Sequence, residues 1–136
     1  MLYLISMKKV MVKYESYIFQ NEHVDRFSEE TSGELIKEND YTKIVCSLKS
    51  ETGKEKTIFC FKDDSVTIER PNYVLEFNKS KMIEFENKTE YGSIMFVTKL
   101  KKYLKLDNQF VINYELFIGD DSVGSYVLKI SYEEMN

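Results

Sequence analysis

The sequence predicts an all-β chain, a single antiparallel meander closed into a small barrel. Three observations carry that prediction. Apolar and polar residues alternate through most of the chain, turn-forming residues fall at the breaks, and one Pro and 5 Gly leave little room for linkers. A period of two puts alternate side chains on opposite faces of a strand.

The first run, 8–19, sets Val10, Val12, Tyr14 and Ile18 on one parity. Strands are then predicted over 24–36, 41–50, 55–62, 65–70 and 73–77. In 81–90, Ile83 and Phe85 oppose Glu84, Glu86, Lys88 and Glu90. A strand over 92–104 precedes 109–118, where Phe110, Ile112, Tyr114, Leu116 and Ile118 form a one-sided set. The last, 122–133, sets Tyr126, Leu128, Ile130 and Tyr132 against Ser125, Lys129, Ser131 and Glu133. Between the runs lie Asn39-Asp40, Thr52-Gly53-Lys54, Asp63-Asp64, Pro71-Asn72, Tyr91-Gly92, Asp107-Asn108 and Gly119-Asp120-Asp121. These residue types tolerate positive φ or bond their own backbone. One segment reads two ways. Leu100, Tyr103 and Leu104 have helical spacing, whereas Leu100, Leu104 and Leu106 alternate, so 98–106 is either a ragged strand or a short helix.

Many short strands raise the problem of unpaired edges. Closure removes it, and hairpin connections favour an up-and-down barrel of about eight to ten strands over a sandwich. The length, 136 residues, suits one domain over 1–136, with 1–7 read as an extension because Met7, before two lysines, is a candidate start. The content of 10 Tyr and 9 Phe argues against disorder. A net charge of -4 and a pI near 5.2 make nucleic acid a poor partner, since such binding neutralises phosphates. The first apolar residues form a run shorter than a signal-peptide core, and nothing approaches the ~20 needed to span a membrane. A cytoplasmic protein without membrane association is expected.

No catalytic residue, metal site or cofactor is read from the sequence. His23, the one histidine, sits beside Asn21 and Glu22 in an expected turn, with no second His or Cys to complete a zinc site. Cys46 and Cys60 are expected opposite Ile58 and Ile44, near each other but unpaired, both reduced and partly buried. Asp63-Asp64 and Asp120-Asp121 lack calcium-loop spacing and read as turns. Lys99, Lys101, Lys102 and Lys105 surround Tyr103, a pattern also used on single strands. Cross-strand pairing, with Glu84 facing Lys99 and Glu86 facing Val97, explains them more simply.

Arg70 shares the parity of Val66 and Ile68 and is predicted to point inward. A buried cation requires a partner, here Glu76, Glu115 or the acid of a bound ligand. Tyr14, Tyr73, Tyr114, Tyr126 and Tyr132 also share the apolar parity of their strands. The candidate ligand-binding set is therefore Arg70, Tyr14, Tyr114 and Tyr126, lining an interior that takes a small, partly apolar or anionic molecule. The competing reading is an interaction or homodimer module with a filled barrel, using outward Phe19, Val97, Val111, Phe117 and Val127. An enzyme has the least support.

In order along the chain stand Thr31-Ser-Gly33, Thr52-Gly53 with Thr57, and Asp63-Asp64-Ser-Val-Thr-Ile-Glu-Arg70. Thr89-Glu-Tyr-Gly92, Thr98, Tyr114-Glu-Leu-Phe-Ile-Gly-Asp120 and Leu128-Lys-Ile-Ser-Tyr132 follow. With these features the chain resembles the YwiB-like family, bacterial proteins of a domain of unknown function. The resemblance implies a calycin-like barrel, akin to lipocalins and fatty-acid-binding proteins, and no established activity. Two departures stand out. Arg70-Pro71-Asn72 replaces Arg-x-Gly, with Asn72 expected to take the left-handed turn, and Cys46-Ser-Leu-Lys49 replaces a Tyr- and Glu-rich strand.

Overall fold

The computed structural model describes residues 7–50 and 53–135. The predicted turn residue Thr52 and residues 1–6 of the predicted extension lie outside them. Met7, assigned to that extension, instead begins the first strand, opposite Ile36.

Ten strands follow in sequence: β1 Met7–Gln20, β2 His23–Lys37, β3 Thr42–Ser50, β4 Gly53–Phe61, β5 Ser65–Arg70, β6 Tyr73–Asn78, β7 Ile83–Thr89, β8 Gly92–Lys105, β9 Gln109–Ile118 and β10 Asp121–Glu134. Every neighbouring pair is antiparallel, in the order β6-β5-β4-β3-β2-β1-β10-β9-β8-β7. The meander is closed by β1 against β10, the first and last strands, with Val10 opposite Glu134 and Phe19 opposite Ser125. The barrel is nearly closed. Its seam lies between β6 and β7, which abut without a backbone ladder.

The seam is held by side chains. Thr98 of β8, 1% exposed, donates its hydroxyl to the Glu76 carbonyl of β6 at 2.7 Å. Tyr103 donates to the Lys62 carbonyl at 2.6 Å, and Lys105 pairs with Asp63 at 3.1 Å. Replacing Thr98 with valine keeps the shape and removes the hydroxyl. The expected result is a loss of about 1–3 kcal/mol in urea unfolding, with faster amide exchange along β6. Unchanged stability and exchange would show that the seam does not rely on this bond.

The segment 98–106 is strand, and a bulge explains its double reading. β8 takes one extra residue between Leu100 and Lys102. Inward positions therefore fall at Thr98, Leu100 and Tyr103, and that last step of three imitates a helix.

The two ends differ. One carries the hairpin connections 21–22, 71–72, 90–91 and 119–120. The other carries the start of β1, the end of β10 and the connections 38–41, 62–64, 79–82 and 106–108. Toward the second end the interior is filled: Phe61 stacks on Phe110 at 3.8 Å between ring centres, and Phe59 lies parallel to Phe61 at 6.1 Å. Val10, Val12, Ile44, Ile112 and Ile130 close around them, each 0% exposed.

Several turns correct the sequence reading. Asn72 keeps a negative φ, so the Pro71-Asn72 bend needs no left-handed residue. Pro at the second position of a type I turn is suited to that. Positive φ occurs instead at Asn21 and Glu22, the two residues joining β1 to β2. The β7–β8 hairpin turns at Glu90-Tyr91, so Glu84 faces Val97 and Glu86 faces Met95. Lys99 faces Glu115 across the other ladder.

Gly33 lets β2 and β3 approach closely. A β-carbon there would lie 2.7 Å from the Val45 carbonyl oxygen, so only glycine permits this approach. The β2–β3 ladder spans only Gly33–Lys37 of β2, and toward the hairpin end the two strands part. Glu29 bridges the gap by accepting the Lys49 amide at 2.9 Å.

Candidate functional site

The hairpin end of the barrel is not filled. A cavity of about 160 Å³ lies against Tyr14, Ser16, Ile68, Arg70, Tyr114 and Tyr126. A second, about 230 Å³, shares the walls Tyr73, Leu75, Tyr114 and Tyr126 and continues to Phe85, Asn87 and Phe96. Together they occupy the mouth and the β6–β7 seam. All four candidate residues from the sequence, Arg70, Tyr14, Tyr114 and Tyr126, face the first cavity.

Local structure places each of them. The two-residue connection 71–72 sets Arg70 opposite Tyr73. Arg70 thus continues the inward face of Val66 and Ile68 at the last paired position of β5. Tyr114 and Tyr126 are register partners, their rings stacked at 5.0 Å and inclined by 11°. Tyr14 is opposite Ile130 on β10 and Glu29 on β2. Tyr132, read in the same tyrosine set, lies at the filled end, donating to the Asp107 carbonyl at 2.9 Å.

The electrostatics are one-sided. Among the described residues no carboxylate lies within ion-pair distance of Arg70. The two protein partners expected from the sequence are elsewhere. Glu76 is exposed on the outer face, and Glu115 pairs with Lys101 at 3.3 Å and accepts from Ser122 at 2.8 Å. The Ser122 hydroxyl and then Lys101 hold the Glu115 carboxyl below its usual range. Burial raises the Tyr114 phenol well above its ordinary 10.0, opposed only in part by the Arg70 charge. Burial likewise raises Tyr14, against the lowering effects of Arg70 and of a hydrogen bond with Ser16. Tyr126 is raised by burial against a hydrogen bond with Gln20. Neutral phenols and one guanidinium therefore face the cavity at ordinary pH.

Glu29 was missed by sequence reasoning. It is 9% exposed and points inward on the parity of Phe27, Thr31, Gly33 and Leu35, which was its only signal. Its charge, after burial, helps push the Cys46 thiol up to about 11. Cys46 is paired with Thr57 rather than facing Ile58, and Cys60 with Lys43 rather than Ile44. That one-residue difference puts the thiols on opposite faces, Cys46 buried and Cys60 half-buried, both free.

Other candidates stay apart from the cavity. His23 is exposed, 2.9 Å from Asp25. In the lysine stretch Lys101 pairs across strands with Glu115, and Lys105 pairs with Asp63 of the β4–β5 connection. Of the outward residues of the competing reading, Val97 pairs with Phe117, Val111 with Leu104, and Val127 with Tyr17, while Phe19 stands at the β1–β2 tip. A wider surface depression of about 440 Å³ lies at the filled end, between Lys8 and Glu134, which pair at 3.1 Å. Among the described residues no three His, Cys, Asp or Glu side chains converge for a metal, and no helix is long and apolar enough to cross a membrane.

Residues 12–130 match the family described as "Domain of unknown function (DUF1934)". The chain belongs to the DUF1934 family. Among solved structures, the crystal structure of ywiB protein from Bacillus subtilis superposes with a TM-score of 0.82 at 18% identity, covering 96% of this chain and 94% of that one. At that identity the likeness shows the fold. No curated protein matches the chain. Within this DUF1934 barrel, the mouth cavity is the place where an inward cation, tyrosine hydroxyls and apolar walls meet.

Proposed function

We propose that the protein is a non-catalytic binding barrel whose hairpin-end cavity takes a small, partly apolar acid, with Arg70 holding its anionic group. The observation that carries this reading is the position of Arg70. It borders a cavity otherwise lined by apolar side chains, phenols and Ser16, and has no carboxylate partner among the described residues. A guanidinium beside low-dielectric walls favours an anion, and its planar fork suits a carboxylate held by two hydrogen bonds. Tyr14, Tyr114 and Tyr126 add phenol hydroxyls that are protonated donors at ordinary pH, and burial raises them further. A few polar groups in an apolar recess is the usual make-up of a small-molecule site. The same reading places the protein in the cytoplasm, where both cysteines stay reduced.

Titration calorimetry with 1-anilinonaphthalene-8-sulfonate, an apolar anion, tests it. The native chain is expected to bind the dye. Arg70→Met is expected to weaken binding by about 10- to 100-fold, matching a lost charge-assisted contact of about 1.5–3 kcal/mol. Arg70→Lys should fall between. Equal binding by native chain and Arg70→Met would place the dye elsewhere and remove Arg70 from the site.

A further inference from the structure

We infer that the acid taken by this cavity is a small planar aromatic carboxylate rather than a long-chain fatty acid. The inference rests on the acid-binding reading above and narrows it to a ligand class. Depth is the first observation. Fatty-acid carriers need an interior that runs along the barrel axis. Here the far half is plugged by Phe59, Phe61 and Phe110, each 1% exposed or less, with two rings stacked at 3.8 Å. The cavities bordered by Arg70 and the stacked aromatics lie at the mouth, about 160 and 230 Å³, with common walls. An extended chain has no channel to enter.

The second observation concerns the walls. The larger chamber is flanked by two stacked aromatic pairs. Tyr114 and Tyr126 lie 5.0 Å apart at 11°, and Phe85 and Phe96 lie 5.2 Å apart at 15°. Both pairs arise from cross-strand register, Tyr114 opposite Tyr126 and Phe85 opposite Phe96, so the ladders set each pair side by side. Ring faces and edges attract another ring at centroid separations of about 4.5–7 Å, beyond the gain from burial alone. An alkyl chain receives no such addition. A bicyclic aromatic acid would set its rings in the larger chamber and extend its carboxylate past Tyr114 toward Arg70.

Binding of 2-naphthoate, n-octanoate and neutral 2-naphthamide to the full chain, measured by calorimetry, tests the class. The expected result is 2-naphthoate binding about tenfold more tightly than n-octanoate, and 2-naphthamide weaker than the acid. Phe96→Leu should erase the preference for the ring acid, bringing 2-naphthoate and n-octanoate to similar affinity. The comparison of ligands on the native chain stands even if that variant fails to fold. If n-octanoate binds equally well or better and Arg70→Met weakens it, the acid site holds and the aromatic class is overturned. If 2-naphthoate is preferred but Phe96→Leu, folded by circular dichroism, keeps the preference, the aromatic class is likewise overturned. If neither acid binds in an Arg70-dependent way, both readings fall.

Discussion

Replacing Phe61 with alanine is expected to lower the unfolding free energy by about 3–5 kcal/mol. The ring is 0% exposed, stacked on Phe110 at 3.8 Å and parallel to Phe59 at 6.1 Å. Deletion removes its burial and leaves a hole, because neighbouring strands locked in ladders to Thr42 and Val66 collapse only in part. Against a total stability of about 5–15 kcal/mol for a domain, the loss is large. Urea unfolding should show a lower midpoint with an unchanged slope. A loss under about 1 kcal/mol would mean that the far half of the barrel is not packed as described. Because this plug limits the cavity's depth, the variant should also bind n-octanoate more tightly than the native chain does.

Raising the pH above 10 is expected to unfold the native chain cooperatively. Burial, the largest influence in each case, raises the phenols of Tyr14, Tyr103 and Tyr114 above their ordinary 10.0. It raises the Cys46 thiol from 9.0 to about 11. In the unfolded chain these groups ionise near their ordinary values. In the folded chain they stay protonated to higher pH. Above those ordinary values the unfolded state therefore binds fewer protons, and stability falls as pH rises. The stabilisation is full below the unfolded values and is lost as pH climbs toward the folded ones. Each group ionised only in the unfolded state contributes a slope of about 1.4 kcal/mol per pH unit. Urea midpoints measured from pH 8 to 11.5 check this. A flat profile through pH 11 would show these phenols to be ionising freely in the folded chain.

Much of the architecture was legible because strands advertise their faces. The sets Phe110 to Leu116 and Tyr126 to Tyr132 lie inward on β9 and β10 as expected, while Ile118, read with the first set, is exposed at the strand end. Arg70 was placed inward by the same parity, and it faces the cavity with Tyr14, Tyr114 and Tyr126. What failed was anything that shifts register by a residue or two. The turn at Glu90-Tyr91 moved Glu84 from Lys99 to Val97, and the β3–β4 register separated Cys46 from Cys60. A bulge gave 98–106 its helical look, since one inserted residue turns a step of two into three. The seam was illegible because it is held by the Thr98 and Tyr103 hydroxyls meeting carbonyls, not by any pattern in the chain. Glu29 was overlooked because a carboxylate on an inward parity is normally read as the end of the buried face. Here it serves as a bond acceptor where β2 leaves β3.

The most direct measurement is a nitrogen–proton correlation spectrum of labelled protein titrated with 2-naphthoate. The expected result is that shifts centre on the amides of Arg70, Tyr73, Tyr114 and Tyr126, with Phe61 and Phe110 unmoved and the shifts absent in Arg70→Met. Saturable shifts centred on the outer face, or on the filled end around Tyr132, would contradict a binding site at the hairpin end.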